Sequence, residues 1–347
     1  MMEGDSIKEE FYDDVFLCIS NIFIISTLAF AMKEKGSNPS YKFCIISMTV
    51  PKEYELKSIT DFGGCVFQEA DLAARKIGCE TINLHSFGYA EWQRSIIEKI
   101  SYNKRGVYTD AIKNGFPCDV FGDISPLTRR IYFGFVLQRK NIGDPYAHVV
   151  ECSYYFNAFE FCKSRSQDLQ NLEQISAIDE ELNLVFLRYW GGGPYTFKVG
   201  CELKTAVLKS LDGTGFRKIH IKSDPRISIA QYNDTISYLM EAGYEVREFG
   251  DLFSIDNNIV NLMPAEFFLP RIKSPVINAI VYDSAISISL KYINNANIVF
   301  PDEASIEGIF EGDTARNTIM LYSKIYQDIC LKMEESEDKD EVHIVSY

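Results

Sequence analysis

The chain is short of histidine and of basic charge, and it holds no paired-cysteine motif; each shortage removes a class of function. Only four histidines occur in 347 residues (His85, His148, His220, His343), none of them in an HExxH pair. None of the nine cysteines stands in a CxxC pair. Protein zinc sites use such spacings, so no metal is expected. An odd number of thiols, several inside apolar runs such as Phe16-Leu17-Cys18-Ile19, reads as buried, reduced cysteine in a reducing compartment. The expected location is therefore cytoplasmic, with peripheral attachment at an inner membrane as the alternative. Lysine and arginine number 35 against 49 acidic residues, a net charge of −14. A duplex binder needs a basic footprint, so no nucleic-acid partner is expected. A GxGxxG dinucleotide fingerprint is absent as well.

What is present is ordinary globular composition, 46% hydrophobic and 24% charged, with 24 Phe and 20 Tyr. The length suits two α/β domains of about 150 residues each. The run Val15–Met32 is long enough to suggest a membrane span. Two features argue against one. Residues 1–14 carry six acidic side chains against Lys8 alone, and Ser20-Asn21 breaks the run in its first third. The run reads instead as a strand over 15–20, a tight turn, and a buried helix over 22–34; Phe43–Val50 is then a second strand. No integral membrane span is expected.

Strand and helix patterns alternate from there. In the first half, helices are expected over 68–77 and 89–102, a short strand over 81–84, loops with a short helix over 103–128, and a strand over 147–152 that ends on Glu151. Residues 165–180 are polar and aperiodic, and read as a linker. The second half restarts with a strand over 182–189 that runs into Trp190 and Gly191-Gly192-Gly193. A helix over 197–211 follows, then a strand over 218–222, a helix over 229–242, and strands over 244–249 and 276–282. A helix over 286–293, a strand over 297–300 and a closing helix over 315–333 complete it. Such alternation implies parallel sheets. The expected fold class is α/β, with two Rossmann-like domains whose parallel sheets face a central cleft. Residues 1–175 form an acceptor-side domain, 176–333 a nucleotide-binding domain, and 334–347 an acidic tail.

Ligands of open parallel sheets bind at the carboxyl ends of strands. Four segments sit there. Glu151 could act as a general base if the cleft raised its pKa, although a strand-end glutamate is more often solvated. Gly191, Gly192 and Gly193 would let a ligand approach backbone amides, or form a plain turn. Asp224 and Arg226 follow the strand KIHIK, where an arginine could pair with phosphate or simply decorate the surface. Ser284 and Ser287 stand at a helix start, as cap or as phosphate cradle, with Ser289 expected to face away.

Taken in order, these segments resemble the bacterial GT-B sialyltransferases of the lipooligosaccharide sialyltransferase and capsular polysialyltransferase type. VFLCISNIFIISTLAFAMKEK is similar to the family's first strand, turn and helix. AHVVECSYYF is similar to the strand before the acidic loop with the catalytic base. LVFLRYWGGG is similar to the glycine-containing opening of the second domain. KIHIKSDPR resembles the strand ending in a His-Pro motif, LMPAEFFL a Pro-x-Glu segment, and VYDSAISISL the serine motif. The resemblance implies an inverting, metal-independent transfer of sialic acid, or a related nonulosonic acid, from a CMP-sugar donor to a glycan acceptor of bacterial lipopolysaccharide or capsule. No further cofactor is implied, and a homodimer is the assembly envisaged. Glu151 would be the base, Glu266 would hold the ribose, and Ser284 and Ser287 the phosphate. The chain departs from the pattern twice. Asp224 stands where the family has its catalytic histidine, and Cys152-Ser153 replace the Asp-Gly that usually follows the acidic residue. An aspartate there repels phosphate unless it is protonated or turned away, which leaves Arg226, Lys222 or His220 as substitutes. The rivals are a UDP- or GDP-sugar transferase, a non-catalytic module binding glycan or a partner enzyme, and a membrane-anchored chain.

Overall fold

A computed structural model describes residues 10–18, 21–47, 61–69, 77–79, 84–86, 105–109, 129–133, 147–150, 152–165, 181–190, 195–282, 284 and 286–335. The chain divides into two compact units, Met1–Gln170 with His343–Tyr347, and Asn171–Val342. Each is α/β and built on a parallel sheet.

In the first unit, β1 (Glu10–Tyr12) and β5 (Ile77–Cys79) form a small parallel ribbon. The main sheet contains β2 (Asp14–Cys18), β3 (Phe43–Ser47), β4 (Cys65–Glu69), β6 (Leu84–Ser86), β7 (Arg105–Thr109), β8 (Arg129–Phe133) and β9 (Ala147–Val150). Their order is β4-β3-β2-β6-β7-β8-β9, parallel throughout. β2 and β3 are buried along their whole length, the mark of strands covered on both faces. Helix α1 (Asn21–Ser37) packs on α2 (Cys152–Arg165). Ile24, Ile25, Leu28, Ala29, Phe30 and Ala31 of α1 are fully buried. A helix apolar on every side needs such cover. Phe30 meets Phe16 of β2 edge-on at 5.8 Å, and Phe16 meets Phe43 of β3 at 6.2 Å. Burial of rings like these stabilises by roughly 1.5–3 kcal/mol each. At the base of the sheet the buried carboxylate of Asp14 accepts from Tyr41 Oη at 2.7 Å. Among the described residues no helix is long and apolar enough to cross a membrane.

The second unit holds β10 (Leu182–Phe186), β11 (Lys218–Lys222), β12 (Glu245–Glu248), β13 (Ile277–Val281) and β14 (Asn297–Val299), in the order β12-β11-β10-β13-β14 and all parallel. One face carries Val185, Ile219, Ile221 and Ile280 into a core with Leu203, Val207 and Leu211 of α3 (Leu203–Leu211) and Tyr232 and Leu239 of α4 (Ile229–Glu241). Behind the other face Phe186 meets Phe249, which meets Phe268 at 6.0 Å. The remaining helices are α5 (Asn257–Leu262), α6 (Ile286–Asn294), α7 (Glu303–Ile306) and α8 (Asp313–Glu335).

Several expectations need correction. The helix expected over 68–77 begins inside β4, and the loop expected over 103–128 contains β7. The helix expected over 197–211 starts only at Leu203. Phe197 instead bridges Phe310 and stacks on its ring at 5.2 Å, Val199 is fully exposed, and Gly200 takes φ +80°. Ring packing outside the helix outweighs one more turn of helix. The helix expected over 89–102 lies outside the described residues, as does the linker expected over 165–180 apart from Arg165, which ends α2.

Candidate functional site

The strand order of the second unit reverses between β10 and β13, so the chain leaves these neighbours toward opposite sides. That reversal opens a crevice at the carboxyl ends of the strands. The two exits are locked together, because Trp190, after β10, meets Tyr282, after β13, edge-on at 4.8 Å. Leu187 N donates to Lys222 O at 2.9 Å, which extends the pairing of β10 with β11 to the rim.

The loop after β11 carries most of the charge. Asp224 Oδ1 accepts from Arg226 N at 3.0 Å and Nε at 2.9 Å, and Oδ2 accepts from Nη2 at 2.8 Å. The fork of the guanidinium therefore closes on the carboxylate in two places. Its plane lies over the ring of Tyr189, 5.1 Å from the centroid. The Asp224 side chain is 13% exposed and that of Arg226 57%. Burial alone would raise the Asp224 carboxyl; the bonds and charge of Arg226, helped by Arg188, outweigh it and hold the group below its ordinary value. Asp224 is thus an ionised carboxylate committed to Arg226. The repulsion expected toward a phosphate is countered by the cation it holds.

Lys222, the last residue of β11, is buried, and its ammonium donates to Ser223 O at 3.3 Å. Ser223 N donates to Asn261 Oδ1 of α5 at 2.9 Å, which pins the start of the loop. Glu266 lies in a 3-10 turn, Ala265–Phe267, and is 9% exposed. Ser289 Oγ of α6 donates to its Oε1 at 3.1 Å. Ser289 was expected to face away; it is the serine of this helix that meets a site carboxylate. Ser284 precedes α6 and is half-buried. Ser287 is fully buried and its hydroxyl donates to Ser284 O at 2.9 Å, closing the turn that leads into α6.

No family model matches the chain, and no curated protein matches it. Among solved structures, the GT-B domain of a sialyltransferase from Photobacterium damselae superposes with a TM-score of 0.41 at 10% identity, over 90% of this chain and 97% of that one. A Photobacterium 2,6-sialyltransferase in complex with CMP and lactose gives 0.46 at 10% identity, over 91% and 76%. The Escherichia coli heptosyltransferase WaaC, bound to ADP-2-deoxy-2-fluoro heptose, gives 0.41 at 8% identity, over 90% and 98%. At such values no residue of this chain inherits a role from them.

The structure therefore brings Asp224, Arg226, Glu266, Ser284 and Ser287 to one end of one sheet. Gly191, Gly192, Gly193 and Glu151 lie outside the described residues. Tyr189, Asn261 and Ser289 join the site without having been singled out for it. None of the three had a readable signal: Ser289 stands two and five positions after Ser287 and Ser284, not the three or four that share a helix face. Among the described residues no cluster of His, Cys, Asp and Glu is arranged to hold a metal ion. The crevice offers a guanidinium held in place, a second arginine, a buried ammonium, a helix start and a buried carboxylate. That set suits an anion carried on a group with hydroxyls.

Proposed function

We propose that the chain is a GT-B glycosyltransferase that takes a nucleotide-activated sugar and binds the nucleotide at the carboxyl ends of β10, β11 and β13. The observation that carries this is the pairing of two chemistries at one strand-order reversal. Arg226, clamped by Asp224, offers charge to a phosphate; Glu266, held by Ser289, offers a carboxylate to sugar hydroxyls. The order of the sequence segments supports a CMP-linked nonulosonic acid as donor. A bacterial surface glycan made on the cytoplasmic side is the acceptor, reached by a soluble or peripheral enzyme. In this reading the acceptor hydroxyl attacks the anomeric carbon as the bond to the phosphate oxygen breaks. Glu151 takes the hydroxyl proton. The electron pair leaves on the phosphate, where Arg226, Ser284 and the start of α6 stabilise it without a metal. Ser287 keeps the turn in shape through Ser284.

The test is thermal melting of the full chain with CMP, UMP, UDP, GDP and NAD in turn. A ligand at one hundred times its Kd stabilises the native state by about 2.7 kcal/mol, enough to move the melting temperature by several degrees. A shift with CMP alone supports the sialyltransferase reading. A shift with UDP or GDP keeps the architecture and replaces the donor. Silence with all five ligands leaves the non-catalytic module.

A further inference from the structure

Helix α6 is fixed on two sides. At its end, Asn294 Nδ2 donates to Leu269 O at 2.8 Å and to Ile272 O at 3.3 Å. Its other side packs on α8. Tyr326, Cys330 and Glu334 follow at spacings of four, which puts them on one face of α8. Tyr326 and Cys330 are buried. Burial pushes the Cys330 thiol up to about 12, so it keeps its proton and donates to Ser287 O at 3.8 Å. Ser287 is the residue whose hydroxyl closes the turn at Ser284. One helical turn further along α8, Glu334 forms an ion pair with Lys291 of α6. The Lys291 side chain is 7% exposed and that of Glu334 51%. The ammonium also meets Ala296 O at 3.5 Å, long for a charged donor. Among the described residues, Glu334 is thus the carboxylate paired with a buried ammonium. Breaking such a pair from one side is far more costly than removing both charges, because the charge left behind is buried alone.

We infer that Glu334 is a positioning residue: its ion pair with Lys291 ties α8 to α6 and keeps the start of α6 where it receives the nucleotide phosphate. This rests on the reading that Ser284 and the start of α6 bind that phosphate. A helix of nine residues has little stability of its own, so its neighbours decide where its first amides point. The ion pair grips the second half of α6 and the Cys330 thiol its first turn. Without Glu334, the Lys291 ammonium has to move toward water, and it takes the helix with it. Glu266 stands on a separate turn, so the nucleoside part of a ligand feels the change less than the phosphate.

The experiment is calorimetric binding of CMP and of cytidine to the full chain, for wild type, Glu334→Gln, Glu334→Asp, Ser284→Ala and the double variant Lys291→Met/Glu334→Gln. The ratio of the two affinities reads the phosphate. Hydrogen bonds to a charged group should give wild type a preference for CMP of roughly tenfold or more. Glu334→Gln should lower that ratio several-fold and leave cytidine affinity little changed. The double variant strands no charge and fills the buried slot with an apolar side chain, so it should recover most of the ratio. Equal weakening of CMP and cytidine by Glu334→Gln, with the ratio kept, overturns the inference. A ratio lost in Glu334→Gln and not recovered in the double variant also overturns it, since Lys291 is then not the route. If Glu334→Gln does not fold, Glu334→Asp carries the test. Its carboxylate is drawn back by one methylene and should lower the ratio by a smaller factor; an unchanged ratio overturns the inference. Ser284→Ala separates the two levels. A ratio lowered by Ser284→Ala but kept in Glu334→Gln removes the inference alone. A ratio unmoved by either change returns the phosphate to Arg226 and removes the basis of the inference. Wild type that binds neither ligand removes the CMP-donor reading and the inference with it.

Discussion

His220 shows what burial does to a single titratable group. It is 6% exposed on β11, and burial first, then the charges of Lys218 and Arg247, push its imidazolium down to about 4. The unfolded chain protonates near 6.5, so the stability of keeping His220 neutral is fully present above that pH. It is lost as pH falls from 6.5 toward 4. The shift corresponds to about 3 kcal/mol as an upper bound. His220→Leu should flatten that part of the acid slope, read as urea midpoint against pH; an unchanged slope would show that another group dominates. Asp224 makes the complementary case. Its partner is more than half exposed, so the pair adds little to stability. Asp224→Asn should move the melting temperature by no more than about 1–2 °C while weakening nucleotide binding several-fold, because Arg226 is no longer held over Tyr189. Nucleotide binding as tight as wild type would mean that the clamp does not serve the ligand.

At the scale of elements, the strand-to-turn junction after β12 is tightly specified. Phe249–Phe253 is a 3-10 turn opened by a reciprocal cap, with Glu248 and Asp251 each accepting from the other's backbone. Gly250 N donates to Asn257 Oδ1 at 2.7 Å, and Asn257 Nδ2 donates to Glu248 Oε2 at 2.9 Å. A Cβ on Gly250 would stand against the Asn257 amide and 2.7 Å from the backbone carbonyl of Ile255. Gly250→Ala should therefore destabilise by about 1–3 kcal/mol, measured by chemical denaturation. Full stability would mean that the turn relaxes freely. Elements with their own periodicity were legible in the sequence. β11 was placed at its observed ends, and α4, β13, α6 and α8 lie within two residues of expectation. β4 and β7 were not, because Gln68, Glu69, Arg105 and Thr109 do not read as a continuous apolar strand. Parallel neighbours place them there.

At the scale of the whole molecule, the two units have separate sheets and separate cores. The proposed nucleotide groups Asp224, Arg226, Glu266 and Ser284 all belong to the second unit. Residues 171–342 expressed alone should fold cooperatively and keep the nucleotide response of the full chain. A fragment that melts without cooperativity would show that the first unit completes its core. The acidic balance of 49 to 35 predicts no affinity for duplex DNA at physiological salt, checked by gel shift.

By itself the sequence determined that two α/β series follow one another and which strand ends carry polar residues. Alternation of apolar strands and helices is local, and local pattern is what a sequence displays. Only the tertiary structure decided which polar residues meet. The reversal between β10 and β13 is a matter of strand order, and no spacing in the chain encodes it. Ser289 reaches Glu266 across 23 positions because α6 packs on the turn that carries it. Asp224, read from sequence as a charge at odds with phosphate, became the holder of Arg226 once the loop was folded. A carboxylate's effect on a site depends on the cation beside it, and that neighbour is chosen by the fold.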